Sequence, residues 1–71
     1  MKIKLEETQR GFLRGEFVDL YGSKCSIQKS SLADMDAIWL GVNEERMHLS
    51  REMVKALLPY LKKFVKTGEL E

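Results

Sequence analysis

From Ser50 to Gly68 the chain carries one continuous helical pattern, and that pattern limits what the residues before it can be. Met53, Val54, Leu57, Leu58, Leu61, Phe64 and Val65 recur at three- and four-residue spacing, which gathers them on one side of a helix. Ser50 suits the N-cap, because its hydroxyl can accept from a free amide of the first turn. Gly68 suits the left-handed position just past a C-terminus, with Lys62, Lys63 and Lys66 toward the negative end of the helix dipole. Pro59 interrupts the pattern. It has no N–H for the Lys55 carbonyl and is expected to bend the rod. A helix this one-sided needs an apolar surface to cover, so Leu57 and Leu61 are expected to face a core supplied by the preceding residues.

That core has to be small. Seventy-one residues make one domain, with residues 1–9 read as an arm or a short extra strand. A chain of this length buries only about 60% of its unfolded surface, and many such chains add a disulfide, a metal or a partner subunit. One cysteine, Cys25, excludes an internal disulfide, and one histidine argues against a zinc site from a single chain. Self-association or a very economical core remains, and a homo-oligomer is expected. The aromatic residues Phe12, Phe17, Tyr21, Trp39 and Tyr60 point the same way, being more than one thin core readily hides. The lone thiol and the lack of a signal peptide indicate a reducing cytoplasm. No apolar run approaches the ~20 residues that span a bilayer. With 12 basic and 11 acidic residues the net charge is +1, which gives no global case for nucleic acid.

Before Ser50 the period is two. Met1, Ile3 and Leu5 alternate with lysines, and Glu6 to Gln9 is polar. Gly11 to Leu20 reads as a strand whose alternation slips at Gly15, the mark of a bulge or a close backbone approach. Tyr21-Gly22-Ser23 closes a hairpin, and Lys24 to Gln28 returns with Cys25 and Ile27 opposite Ser26 and Gln28. Ser30 to Asp36 is a loop that Leu32 and Met35 are expected to pin to the core. Ala37 to Leu40 is a third strand, Gly41 to Glu45 a polar turn, and Arg46 to Leu49 a fourth strand with Met47 and Leu49 opposite Arg46 and His48. The expectation is an α+β fold: a three- or four-stranded antiparallel sheet followed by one C-terminal amphipathic helix packed on it.

Several segments form a distinctive string: Arg10-Gly11-Phe12, Phe17-Val18-Asp19-Leu20-Tyr21-Gly22, Cys25 through Ala33, Ile38-Trp39-Leu40-Gly41 and Arg46-Met47-His48-Leu49. With Leu58-Pro59 and Thr67-Gly68-Glu69-Leu70, residues 10–70 resemble a group of small phage and prophage proteins of unknown activity. The resemblance implies context: an accessory protein in the cytoplasm of an infected or lysogenic bacterium, acting on a host enzyme, a defence protein or a nucleotide signal.

Candidate chemistry is sparse. Cys25 and His48 do not make a credible nucleophile and base, since the alternation puts the thiol on the apolar face. Asp34, Asp36, Glu44 and Glu45 lack the spacing of a cation loop, and the scattered glycines form no phosphate loop. No cofactor, metal or catalytic residue is assigned. Two sets remain. Gln28, Ser30, Ser31, Trp39, Arg46 and His48 lie on polar strand faces or strand ends, where an indole, a guanidinium and small polar groups would suit a nucleotide. Against this, Trp39 also fits a core or an interface. Arg51, Lys55, Lys62 and Lys66 form a basic stripe along the helix that could follow a phosphate backbone, or simply solvate it. The reading adopted is a small non-enzymatic binding protein acting by sequestration or inhibition, with a nucleotide-like ligand or a host or defence protein as its target. The alternative is a nucleic-acid-binding or transcription-related module using the helix stripe.

Overall fold

The computed structural model describes residues 1–71. Five strands precede one helix: β1 (Leu5–Glu7), β2 (Leu13–Val18), β3 (Lys24–Lys29), β4 (Ala37–Val42), β5 (Glu45–Ser50) and α1 (Arg51–Thr67). The strands form one antiparallel meander in the order β1-β2-β3-β4-β5, each bonded only to its neighbours in sequence. The α+β layout is the expected one, with five strands rather than three or four. The added strand comes from the N-terminal arm, and it pairs Leu5 with Gly15.

Gly15 shows why its position reads as irregular. The ladder runs through it without a bulge, Leu5↔Gly15↔Ile27. A Cβ there would lie 2.7 Å from Ile3 Cγ2 and 3.0 Å from Leu5 Cδ2. The missing side chain is space for the arm's apolar residues, so close approach is the cause. The β2–β3 loop is organised by Asp19, whose Oδ1 accepts from the amides of Tyr21 and Ser23 at 2.9 Å, with Gly22 at φ 83°.

Several expected boundaries change, β2 being Leu13–Val18 where the alternation predicts Gly11 to Leu20. Gly41 belongs to β4 and pairs with Arg46, and β5 begins at Glu45, so the turn shrinks to Asn43-Glu44 with Asn43 at φ 48°. A two-residue hairpin loop requires such a left-handed residue, and asparagine tolerates it. In the loop after β3, Leu32 and Met35 are exposed and do not pin it. Polar contacts hold it instead. Ser30 Oγ accepts from the Leu32 amide, and Asp36 binds Lys29 at 3.1 Å and Arg51 at 3.6 Å.

The hydrogen bond and charge of Lys29 hold the pKa of Asp36 below the ordinary aspartate value, with a smaller contribution from Arg51. A depressed folded value means the Asp36 carboxylate favours the folded state above the unfolded pKa, and that preference disappears as pH falls through the lower folded one. Following Asp36 by NMR should give a midpoint below that of a free aspartate, and Lys29→Gln should move it up. An unchanged midpoint in Lys29→Gln would remove the ion pair as the cause.

Register sorts the sheet into two faces. Cys25, Ile27, Ile38, Leu40, Val42, Met47 and Leu49 share one with Leu13 and Phe17. Arg14, Glu16, Ser26, Gln28, Trp39, Arg46 and His48 share the other. The faces are as the alternation predicts. Only six residues are buried: Gly15, Cys25, Ser26, Ser30, Ala37 and Leu49.

β5 passes into α1 without a loop. Ser50 is both the last strand residue and the N-cap, its Oγ accepting from the Met53 amide at 3.2 Å. Gly68 at φ 78° closes the other end, its amide donating to the Phe64 carbonyl. The helix is unbroken through Pro59. It adjoins the sheet mainly at β5, none of its residues is buried, and only Val54 is half-covered. Leu57 and Leu61, expected in the core, are 41% and 53% exposed. The spacing defines an apolar side correctly, but the direct strand-to-helix junction turns only its Val54–Leu58 edge toward Ile38 and Leu49 and leaves Leu57 and Leu61 uncovered.

Candidate functional site

The polar face concentrates its chemistry where β2, β3, β4 and β5 lie side by side. Register puts Arg14 opposite Gln28, Gln28 opposite Trp39, and Trp39 opposite His48, a continuous row across four strands. Arg46 lies one pair along β5, opposite Gly41. Gly41 permits this. A Cβ there would come 2.8 Å from Arg46 Cα and 2.9 Å from the Glu45 carbonyl oxygen.

Two arginines converge on one neutral oxygen. Arg14 Nη1 donates to Gln28 Oε1 at 2.7 Å, and Arg46 Nη1 donates to the same atom at 2.9 Å. Neither guanidinium has a carboxylate within ion-pair distance; the ion pairs of the molecule lie elsewhere. Arg46 Nε is shut off from solvent without an acceptor, and Ser26 Oγ, in a residue 1% exposed, also lacks a partner. Like charges sharing one amide oxygen, beside orphaned polar atoms, form an arrangement that an anion would complete.

Beside the arginines stands a ring pair. Trp39 and His48 stack with centroids 3.9 Å apart and planes 8° from parallel, and the Arg46 guanidinium carbon lies 5.1 Å from the Trp39 centroid. His48 Nε2 is 2.9 Å from Ser30 Oγ, which orients the imidazole. β5 is an edge strand and His48 is exposed, so a further planar ring can extend the stack from its outer side. Trp39 is half-buried under its neighbours and belongs to the polar face rather than the apolar core.

Of the six residues expected at this site, five come together: Gln28, Ser30, Trp39, Arg46 and His48. Ser31 does not, being an exposed loop residue with no side-chain hydrogen bond. Arg14 and Ser26 join them. A depression of about 190 Å³, which neither Trp39 nor His48 borders, is lined by Arg14, Ser26, Lys24 and Asn43, but also by Glu16 and Glu44. Those carboxylates disfavour an anion there and favour one over Arg46. Cys25 is buried on the opposite face, its Sγ 3.6 Å from the Ser23 carbonyl, so it does not meet His48. No three His, Cys, Asp or Glu side chains gather as a metal-binding set.

The basic stripe of the helix is less uniform than its spacing implies. Arg51 is engaged with Asp36. Lys55, Lys62 and Lys66 have no acidic partner within 4.0 Å. The helix is not long and apolar enough to cross a membrane. Comparison with protein-family models, with curated proteins and with solved structures finds no match.

Proposed function

We propose that this chain is a small non-enzymatic binding protein that holds a planar, phosphate-bearing ligand on the polar face of its sheet. One observation carries the reading: Arg14 and Arg46 meet at Gln28 Oε1 with no carboxylate within 4.0 Å, although Glu6 is paired opposite Arg14, next to a stacked Trp39–His48 pair. A phosphate would neutralise the guanidinium pair, and a base would continue the stack from His48. Sequestration needs no bond to be made or broken. The role that follows, in the setting implied by the motif resemblance, is that of a phage or prophage accessory protein acting in the bacterial cytoplasm to withhold a nucleotide-like ligand.

The test is calorimetric titration of the wild type with mono- and dinucleotides, inorganic pyrophosphate and short duplex DNA. Arg46→Ala is expected to weaken nucleotide binding at least tenfold, about 1.4 kcal/mol, by removing one of two charge-assisted contacts. The fold should persist, because the substitution also relieves the apposition of like charges. Absence of nucleotide binding would sink the proposal. So would binding of duplex that falls steeply with salt and is lost only in Lys55→Glu with Lys62→Glu, which would make the helix stripe the functional surface.

A further inference from the structure

We infer that a second copy of this chain covers the apolar side of α1 together with the apolar face of the sheet, so that the folded unit is a dimer. The first ground is area. The chain exposes 6389 Å², whereas a compact chain of 8.2 kDa exposes about 4,500 Å², an excess of roughly 1,900 Å². Stable interfaces take about 800 Å² from each partner, and permanent ones about 1,000–2,500 Å². The excess is what a permanent dimer hides. Shape agrees, because the radius of gyration is 13.3 Å against about 11 Å for a compact chain of this length.

The second ground is where the excess lies. Leu57, Leu61 and Phe64 stand in a stripe at 41%, 53% and 55% exposure, and Met47 and Leu13 are bare on the sheet. Single exposed leucines are ordinary, but a stripe running the length of a helix marks a contact surface. A groove of about 370 Å³ between Ile38 and Leu49 on the sheet and Val54 and Leu58 on the helix joins the two surfaces into one. Arg51 and Lys55 border this groove, Arg51 already engaged with Asp36, while Leu57, Leu61 and Phe64 carry no charge. Two identical stripes can meet along those apolar positions with the basic groups at the rim.

The third ground selects the occupant. Six buried residues are too few to hold the chain folded alone, so the covering surface must be present whenever the chain is. Another copy meets that condition, because it is made wherever the chain is made. The polar face lies on the reverse of the sheet, so the dimer presents two such faces outward. This inference does not depend on what they bind.

Sedimentation velocity and native mass spectrometry of the full chain, from micromolar to hundred-micromolar concentration, should show a two-chain species. The melting temperature should rise with concentration, because dissociation and unfolding are linked. Leu61→Glu with Phe64→Glu should abolish the two-chain species. As that variant could fail to fold, hydrogen exchange of the wild type supplies a second readout: protection of the Met53–Val65 amides should increase with concentration. A folded monomer at the highest concentration, with helix amides unprotected throughout, would overturn the inference and assign the stripe to a different partner. A two-chain species that survives both glutamates would overturn it as well.

Discussion

Leu49→Ala should cost about 2–5 kcal/mol, the usual range for emptying a buried leucine site. Leu49 is the largest of the six buried residues, and it stands next to the strand-to-helix junction, bordering the groove with Ile38, Val54 and Leu58. A folded chain of this length has only about 4–10 kcal/mol of total stability. The variant is therefore expected to lose roughly half of its stability, and its urea midpoint should fall in proportion. Leu20→Ala is the control, because Leu20 is 100% exposed and should leave the urea midpoint in place. A Leu49→Ala midpoint equal to that of wild type would show that the sheet does not depend on this anchor.

A single added methyl at Gly41 should be nearly as damaging. Its Cβ would meet backbone, Arg46 Cα at 2.8 Å and the Glu45 carbonyl at 2.9 Å, and backbone cannot turn aside as a side-chain end can. Either β5 moves off β4 or the ladder breaks, at about 1–3 kcal/mol or more. The same displacement carries Arg46 and His48 away from Gln28 and Trp39, so the site should degrade along with stability. Gly15→Ala offers the contrast: there the Cβ meets the flexible ends of Ile3 and Leu5, which can give way. Parallel denaturation and nucleotide titration of both variants checks the difference. Equal tolerance at the two glycines would mean that Gly41 does not set the spacing of β5.

How far the sequence discloses all this varies from residue to residue. Ser50 and Gly68 announce the ends of the helix because capping is local chemistry. The opposition of Cys25 and Ile27 to Ser26 and Gln28 is equally legible, since period two needs no partner strand to be read. Gly41 misleads. A glycine before Val-Asn-Glu looks like a turn, and its service as clearance for Arg46 shows only when β5 is in place. Arg14 was invisible as a site residue for a related reason. Gln28 lies fourteen positions away, and their meeting depends on a register that no local pattern states. The helix stripe reveals an apolar side and not what covers it. Propensity fixes the helix, whereas the direct junction at Ser50 decides where it points.

The meander has a consequence for how the chain reaches this state. Each strand pairs only with the one before it, so every loop that must close on the way is a short hairpin. Short closures cost little entropy, and low contact order goes with fast folding. The sheet can zip from β1 onward as residues become available, without waiting for a distant segment. α1 comes last, and by then the apolar face is already formed and bare. In the dimer proposed above, the strands of one chain thus meet rapidly but transiently, and a slower meeting of two chains holds them. The interval between the two meetings, when the open face is exposed to any other apolar surface, is the period in which this protein is most prone to aggregate.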